Sequence, residues 1–462
     1  MWMETRHERD SIGTRKVNMN AYYGIQTLRA TENFAISGMR ARPSFIYATI
    51  QIKKAAAIVH KRLNLLEREK ADAIVNACDE ILAGEHMDGF VVDVYQAGAG
   101  TSHHMNANEV IANRALELLG RAKGEYKVLH PNDHVNMAQS TNDVIPSAMR
   151  IAAVMETLAM LRNLEMSATT FKEKAIEFDG ILKSARTHLQ DAVPMRLGQE
   201  FNAYSTNLVH HYETILSALE PCKELGIGGT AAGTGLNAHP QYRENMIRQL
   251  SEQTEIQFTP AHDLFEAMQS MRVFVGLSGT IRNLTQDLIR IANDLRLLSS
   301  GPKTGLAEIN LPPVQPGSSI MPGKVNPVMA EMLNMVGFQV LGCDQTILLA
   351  SQAGQLELNV MMPVIAFNLL FEIEILSNAL YAFTERCVKG ITANKERCQA
   401  YAEGSMSIVT VLNPIIGYAQ AAEVAKAYLA SDKSIREIIL EKNLLDTDQL
   451  DAVMDLYEMT EL

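Results

Sequence analysis

The sequence contains few of the residues and motifs that mark several protein classes. Its 462 residues include five cysteines, one tryptophan and 6% aromatic residues. The cysteines form no CxxC pair, so we predict neither a disulfide framework nor a zinc ribbon and interpret them as small core residues. The sequence has no HExxH motif and no histidine and carboxylate grouping at metal-ligand spacing, so no metal site is predicted. It also lacks GxGxxG and GxxxxGK[ST] loops, which disfavours a nucleotide-binding enzyme.

Basic residues are outnumbered by acidic ones. The chain has 41 Lys and Arg residues against 53 Asp and Glu residues, a formal net charge of -12. This charge disfavours nonspecific binding to nucleic acid or to an anionic membrane, but it is compatible with an anionic small-molecule substrate. The start, MWMETRHERD, is charged where a secretory signal is apolar, and we see no later stretch approaching the ~20 apolar residues that span a bilayer. We therefore expect a cytoplasmic protein.

Long stretches with helical periodicity dominate the middle of the chain. No proline lies between Asp263 and Gly301, and apolar residues recur there at spacings of three and four, at Ile281, Leu284, Leu288, Ile291, Leu295 and Leu298. Comparable stretches cover approximately residues 146–178, 197–225, 327–350 and 363–388. Several of these stretches are apolar on more than one face, which indicates burial inside a large domain or between subunits.

These stretches predict a mainly α protein with a central helical bundle that packs into a homo-oligomer. The flanking regions have shorter periodic segments and more breaks. We therefore predict three domains, which cover residues 1–139, 140–394 and 395–462. The middle domain would carry the bundle.

Residues 317–327, with the sequence GSSIMPGKVNP, combine two hydroxyls, a lysine and an amide. Gly317 and Gly323 permit unusual backbone angles, whereas Pro322 and Pro327 restrict them. This composition predicts a mobile catalytic loop that leads into a helix. The alternative is a polar connector between helices, which is the usual role of such clusters.

Three other polar clusters accompany this loop. Residues 98–109 read GAGTSHHMNANE, and residues 139–146 read QSTNDVIP at a predicted helix start. The second cluster is either a simple helix cap or, through its free N–H groups and hydroxyls, a receptor for a carboxylate. Residues 186–200 read RTHLQDAVPMRLGQE and place Thr187 and His188 at a break between helices. Together the four clusters supply groups that hold a small dicarboxylate and remove a proton from carbon.

The loop GSSIMPGKVNP is similar to the signature of the aspartase/fumarase superfamily, and the other clusters resemble its remaining active-site regions in the same order. The likeness covers essentially the whole chain, from DSIGTRKVNMNAYYGIQTLRATENF to SIVTVLNPIIGY. The segments TLRATENF, THLQDAVPM, DLRLLSSGP, EINLP and GITANKE resemble aspartate ammonia-lyases more than class II fumarases, whereas ELNV and the GK of the signature are shared with fumarases.

The resemblance implies a three-domain helical subunit in a homotetramer, with each active site drawn from three subunits. It also implies a reversible anti elimination, in which L-aspartate gives fumarate and ammonia without an organic cofactor. The base would be Ser318, and local N–H groups and positive charge must stabilise its deprotonated form. The β-carboxylate would be held by Thr101, Ser140, Thr141 and Ser319. The α-carboxylate would be held by Lys324, Asn326, Thr187 and His188, and the amine by Asn142 and His188. Arg29 is a weaker candidate for substrate binding.

Three departures from the superfamily pattern keep the substrate open. His104 stands where an asparagine is common, Lys303 replaces an arginine, and Met362 replaces Glu or Lys. Class II fumarase activity, or release of another amine, therefore remains an alternative. A noncatalytic helical scaffold or binding protein is a third possibility, disfavoured by the retained Ser318 and Lys324.

Overall fold

The computed structural model describes residues 4–406, 408–431 and 433–461, in which helices predominate. The α-helices are α1 (Ile25–Asn33), α2 (Pro43–Arg62), α3 (Arg68–Leu82), α4 (Thr101–Leu118), α5 (Thr141–Glu177), α6 (Leu197–Leu219), α7 (Tyr242–Thr254), α8 (Leu264–Gln269), α9 (Arg272–Leu298), α10 (Val328–Gln352), α11 (Met362–Arg386), α12 (Lys395–Glu403), α13 (Ile408–Ile416), α14 (Tyr418–Leu429), α15 (Ile435–Glu441) and α16 (Thr447–Val453). The predicted mainly α class is confirmed.

The strands are short and occur in pairs. They are β1 (Thr5–Asp10), β2 (Gly13–Asn18), β3 (Leu182–Thr187), β4 (Gln190–Arg196), β5 (Glu224–Leu225), β6 (Thr259–Pro260), β7 (Ile309–Asn310) and β8 (Thr392–Ala393). The pairs β1–β2, β3–β4 and β7–β8 are antiparallel, and β5–β6 is parallel.

The five long helical stretches expected from the sequence are present, with one break. The predicted stretch from Asp263 to Gly301 divides into α8 and α9 because Ser270 is extended (φ −92°, ψ 127°). The Ser270 hydroxyl accepts a hydrogen bond from the Arg272 N–H at 3.3 Å, which favours a new helix start there. The apolar stripe on α9 is buried, at Ile281, Leu284, Leu288, Ile291, Leu295 and Leu298.

The chain forms two compact units. The first contains residues up to Leu161 together with Glu213–Thr285 and Phe338–Ser377, and the second contains Arg162–Tyr212, Gln286–Gly337 and the remainder from Asn378. Every boundary between them falls inside a long helix. The division into residues 1–139, 140–394 and 395–462 stays a prediction.

The first unit has an apolar core between α2, α3 and α4. Ile50, Ile74, Ala77, Val110 and Ile111 are fully buried in it. Burying such side chains stabilises the fold by about 1.5–3 kcal/mol for each large aliphatic residue. This core fixes the start of α4, where the cluster at residues 98–109 lies.

The second unit contains a buried ion-pair cluster beneath the β3–β4 hairpin. Glu308 is fully buried and accepts hydrogen bonds from Arg186 Nη1 at 2.9 and 3.0 Å. Lys183 Nζ lies 3.4 Å from the same carboxylate. Since both cations are on β3, the cluster anchors the hairpin that carries Thr187 and His188.

Among the described residues, three helical segments are long and apolar enough to cross a membrane by length and composition alone: Thr141–Glu177, Val328–Gln352 and Met362–Gly390. The expectation that no stretch approaches this length is therefore wrong. Isolated charges such as Asp344 and Glu372 interrupt the apolar runs, so the sequence shows no unbroken span. Of the apolar window, 78% is buried in Thr141–Glu177 but only 39% in Val328–Gln352.

Candidate active site

The loop of residues 317–327 lies between β7 and α10 in the second unit and is closed at its base. The Gly317 N–H donates to the Lys324 carbonyl at 2.9 Å, and Asn326 Nδ2 donates to the Gly317 carbonyl at 2.7 Å. Asn326, a predicted substrate ligand, therefore also holds the loop together. Lys324 and Ser319 are exposed, and Ser318 is half-buried.

Ser318 lies on the loop with its hydroxyl oxygen facing backbone donors. Its Oγ accepts hydrogen bonds from the N–H groups of Ile320 at 3.2 Å and Met321 at 3.1 Å. Such donors stabilise negative charge on the oxygen. This arrangement provides the local N–H groups that the sequence analysis required of the base.

Gly317→Ala is expected to reduce kcat/KM strongly, because a Cβ there would lie 2.3 Å from the Lys324 carbonyl oxygen. The clash opens the base of the loop and displaces Ser318, and a misplacement of about 1 Å can cost on the order of 100-fold in rate. Steady-state kinetics measure the effect.

Gly323→Ala is the matched control within the same loop. Gly323 has a φ of 81°, but a Cβ there meets nothing within 4 Å. Only backbone strain of about 1–2 kcal/mol is added, so the loss should be much smaller. Equal losses in the two variants would contradict the role of the Gly317–Lys324 closure.

The predicted break at Thr187 and His188 is a β-hairpin. Thr187 pairs with Gln190, and the two residues between them, His188 and Leu189, have φ values of 56° and 60°. Positive φ at both central positions is typical of a type I′ turn. The turn places His188 at the exposed tip, anchored below by Arg186.

In the first unit, the clusters at residues 98–109 and 139–146 both lie at helix starts. Thr101 begins α4 after Gly100, whose φ of 86° favours glycine. A Cβ on Gly100 would lie 3.2 Å from Ile145 in the first turn of α5, so the two starts are neighbours. Thr101 is exposed, and its hydroxyl donates to the Gly98 carbonyl at 3.3 Å.

The start of α5 has the features of a cap. Ser140 Oγ accepts from the Asn142 N–H at 3.2 Å, and the Ser140 N–H donates to Asp143 Oδ1 at 2.9 Å. The contacts of Ser140 are those of a helix cap, and the role of this cluster as a carboxylate receptor stays a prediction. Thr141 and Asn142 are half-buried, and Asn142 Nδ2 donates to the Ala231 carbonyl at 2.7 Å.

Asp143 anchors this helix start; the sequence pattern QSTNDVIP placed it among the helix-start residues but gave it no role in the site. It is fully buried, and its Oδ2 accepts from the N–H groups of Gly228 at 3.0 Å and Thr230 at 3.1 Å. Burial raises the pKa of Asp143 to about 6. Only the residue type and its position in QSTNDVIP pointed to this role.

Lys53 is the most important group that sequence reasoning missed. It lies on α2, is fully buried, and places Nζ 2.6 Å from His104 Nε2. On its other side, His104 Nδ1 lies 2.9 Å from the hydroxyl of Thr141. His104, the departure from the superfamily pattern, therefore joins a buried lysine to a predicted β-carboxylate ligand.

A faint sequence signal for Lys53 exists in the segment QIKKAAAIVH. Two adjacent helical residues point about 100° apart, so one lysine of the pair is biased toward the apolar side. Lys53 shares a face with Ile50, Ala57 and His60, which are all buried.

The other residues singled out from the sequence have varied surroundings. Arg29 donates to both oxygens of Asp10, at 2.7 and 3.0 Å, and this hydrogen bonding lowers the pKa of Asp10. Lys303 is exposed in a loop. Met362 begins α11 and is fully buried, so a charged residue at this place would lose its hydration.

Within the part of the chain that the structure describes, one grouping has metal-ligand character that the sequence did not predict. Potential ligand atoms of Glu80, Glu85 and His86 lie within 4.8 Å of one another. The left-handed conformation of His86 (φ 58°) turns the chain back toward the end of α3. Arg114 Nη2 donates to Glu80 at 2.8 Å and competes with a cation for that carboxylate.

The structure thus collects the predicted residues into two groups. Thr101, His104 and residues 140–142 lie at neighbouring helix starts in the first unit. Thr187, His188 and the loop of residues 317–327 belong to the second unit. The roles of these residues stay predictions.

Comparisons with known proteins cover nearly the whole chain. The family model described as Lyase matches residues 13–342, and the model described as Fumarase C C-terminus matches residues 408–461. Aspartate ammonia-lyase of Bacillus subtilis (strain 168) is 48% identical over 457 residues, which are 99% of this chain and 96% of that protein. Aspartate ammonia-lyase of Escherichia coli (strain K12) is also 48% identical, over 98% of this chain and 96% of that protein.

Solved structures show the same similarity. The cobalt-bound crystal structure of a fumarate lyase:delta crystallin from Brucella melitensis has a TM-score of 0.97 at 48% identity, covering 99% of this chain and 100% of that one. A class II fumarase from Schistosoma mansoni has a TM-score of 0.95 at 38% identity, covering 99% of both chains. On this similarity in sequence and fold, the chain belongs to the aspartase/fumarase superfamily of lyases.

Proposed function

We propose that this protein is an aspartate ammonia-lyase, a carbon–nitrogen lyase that converts L-aspartate reversibly into fumarate and ammonia. The observation that carries the proposal is the 48% identity, over nearly the full length, to proteins named aspartate ammonia-lyase. The retained loop GSSIMPGKVNP and the three other clusters support it.

The difficult step of this elimination is removal of the proton from the carbon beside the β-carboxylate. This proton is only weakly acidic, because its removal concentrates negative charge on that carboxylate, which becomes an aci-carboxylate. A preorganised donor aimed at such charge lowers the barrier by on the order of 3 kcal/mol. In our proposal the donors are Thr101, Ser140, Thr141 and Ser319.

Ser318 removes the proton in this scheme. The N–H groups of Ile320 and Met321, which already reach its Oγ, stabilise the deprotonated hydroxyl, and Lys324 adds positive charge when the loop closes on substrate. The α-carboxylate is held by Lys324, Asn326, Thr187 and His188, and the amine by Asn142 and His188. Holding both carboxylates fixes the C–H and C–N bonds in the anti arrangement.

Class II fumarase activity is the second candidate. The structural similarity to the Schistosoma mansoni enzyme favours it, at 38% identity. The two activities share the base and the β-carboxylate ligands, and they differ in whether the leaving group is ammonia or water.

Separate incubation with L-aspartate and L-malate distinguishes the two candidates. The ultraviolet absorbance of fumarate should rise with L-aspartate, and ammonia should appear in equal amount. Fumarate formed from malate alone would reject the ammonia-lyase proposal. Absence of turnover with both compounds would favour a noncatalytic role.

We also propose that the protein is a homotetramer whose long helices pack together between subunits. Helix α10 supports this, because Met335 and Phe338 on it are 63% and 61% exposed, although the helix is strongly apolar. Light scattering in solution should give four times the subunit mass. A monomer would leave these faces in water and would contradict the proposal.

We place the protein in the cytoplasm as a further proposal. All five cysteines are free and buried, which suits a reducing compartment. Cell fractionation tests this placement, and recovery of the protein in the membrane fraction would instead favour insertion of its apolar helices.

A further inference from the structure

We propose that Lys53 and His104 act together as positioning residues, which fix the hydroxyl of Thr141 as a hydrogen-bond donor toward the substrate β-carboxylate. This inference rests on the proposed function, because that function supplies the carboxylate. It concerns a chain of contacts from α2 through α4 to the start of α5.

Two amide side chains face Lys53, and their orientations are fixed by the backbone. Asn136 Nδ2 donates to the Gln139 carbonyl at 3.3 Å. Gln139 Nε2 donates to the carbonyls of Val135 at 3.1 Å and Met137 at 3.2 Å. Both amide oxygens must therefore point at Lys53 Nζ, which lies 2.9 Å from each. Since these oxygens only accept, two N–H groups of Lys53 are committed to them.

The third neighbour of Lys53 is His104 Nε2, at 2.6 Å. A charged Lys53 has three donors and no lone pair, so Nε2 must accept and carries no proton. Burial, reinforced by the charge of Lys53, holds the pKa of His104 well below its usual range, and the ring is neutral. Its one proton is therefore on Nδ1.

The Nδ1 proton determines what the hydroxyl of Thr141 can do. Nδ1–H donates to Thr141 Oγ1, which lies 2.9 Å away. The hydroxyl hydrogen of Thr141 is then left to donate to a different acceptor. Because Thr141 is half-buried at the start of α5, a bound carboxylate is a suitable acceptor. Each donor polarises the next, so the charge of Lys53 strengthens the final hydrogen bond.

When Lys53 loses its proton, the two hydrogen bonds that connect it through His104 to Thr141 reverse their direction. A neutral amine still donates to the two amide oxygens, but its lone pair accepts from Nε2–H. Nδ1 then has no proton and accepts from the Thr141 hydroxyl, which turns away from the substrate. A tautomeric imidazole permits this reversal by proton transfer alone, whereas the asparagine common at this position exchanges donor and acceptor only by rotating its whole amide by about 180°.

The reversal falls near neutral pH. Burial lowers the pKa of Lys53 to about 7, although the carboxylate of Asp143 acts in the opposite direction. Cys78 nearby is a neutral thiol, because burial raises its pKa. His103 and His104, which also face Lys53, are held neutral by burial. Lys53 therefore loses its charge gradually as the pH rises through about 7, and the donor chain is lost with it.

The effect should appear in kcat/KM more than in kcat. The pH dependence of kcat/KM reports groups in the free enzyme, whereas kcat reports groups in the substrate complex. A bound dicarboxylate favours the charged form of Lys53 and delays its deprotonation. We expect kcat/KM for L-aspartate to fall by about tenfold per pH unit once Lys53 has lost its proton.

The test compares pH profiles of wild-type protein, His104→Asn and His103→Asn. His103 is the matched control, because it lies on the same helix but contacts Thr49 at 3.0 Å and stacks on Phe45 at 4.4 Å. The wild type and His103→Asn should share the alkaline fall in kcat/KM. In His104→Asn the fall should vanish or move up by about one pH unit or more, because the amide cannot exchange donor and acceptor by proton transfer.

Thr141→Val provides an independent test, which stays informative even if His104→Asn folds poorly. If His104 acts through Thr141, this variant also lacks the alkaline fall, and adding His104→Asn to it changes kcat/KM by less than about twofold. Thermal unfolding and light scattering confirm that each variant is folded and assembled. Persistence of the fall in Thr141→Val would overturn the inference.

Failure of the inference and failure of the proposed function give different results. Identical alkaline profiles in the wild type and His104→Asn, with aspartate still converted, would overturn only the Lys53–His104 chain. Absence of aspartate turnover at every pH would overturn the proposed function, and with it the substrate on which the inference rests.

Discussion

Replacing Ser318 with alanine is expected to lower kcat/KM for L-aspartate by about 10²- to 10⁴-fold, the range for loss of a general base. The substitution removes the only oxygen of the loop that two adjacent N–H groups, from Ile320 and Met321, already contact. Those two groups can turn to water, because both residues are exposed. The loss should therefore fall on kcat with little change in thermal stability. Steady-state kinetics and an unfolding curve measure the two effects.

Ser431→Ala is the control for this experiment. Ser431 is an exposed serine in the same unit, and its hydroxyl donates to the Ala427 carbonyl at 2.9 Å. It should retain wild-type kinetics. If Ser318→Ala turned over aspartate within about threefold of the wild type, Ser318 would not be the base.

Lys324→Met is expected to give the next largest loss, on the order of 100-fold in kcat/KM, mainly through a higher KM. Lys324 is exposed, and within residues 4–406, 408–431 and 433–461 its amine has no ion pair or hydrogen bond. Its charge is therefore available to an anionic substrate. Methionine retains the length of the side chain but removes the charge, so the loop should keep its fold.

Lys303→Met is the matched control for Lys324→Met. Lys303 is another exposed lysine of the second unit, and it is not assigned to substrate binding. A long-range effect of net charge would appear equally in both variants and would disappear at high salt. Similar losses in the two variants would contradict a direct contact between Lys324 and the substrate.

The helices were the most predictable part of this molecule. The stripe from Ile281 to Leu298 on α9 carries its own periodic signal, and it is buried as expected. The helix break at Ser270 was not predicted, because it depends on one side-chain hydrogen bond rather than on proline or glycine. The boundaries of α10 and α11 agree with the prediction to within two residues.

The hairpin that carries His188 shows why parts of the site were missed. A type I′ turn usually contains Asn-Gly, whereas here both central residues, His188 and Leu189, have side chains that disfavour positive φ. The turn is maintained by the buried cluster of Glu308 with Lys183 and Arg186. That partner is more than a hundred residues away in the sequence, so no local pattern indicated it.

The Lys53 contact was beyond sequence reasoning for a similar reason. Lysine is rarely fully buried, so the helical pattern that biases one lysine of the pair toward the apolar side did not predict complete burial. Its burial depends on acceptors from two other parts of the chain, His104 and Asn136 with Gln139. The sequence identified His104 as unusual, but only the fold shows what it contacts.

The central claim is that one base exchanges the C3 proton anti to the amine of L-aspartate. It is tested most directly by running the reaction in reverse in D₂O. Fumarate and ammonia should give L-aspartate with one deuterium at a single C3 position, on the face opposite the new C–N bond, because one base delivers the proton anti to the amine. Nuclear magnetic resonance identifies the product and the position of the deuterium. Malate as the product, or deuterium distributed over both C3 positions, would contradict the account.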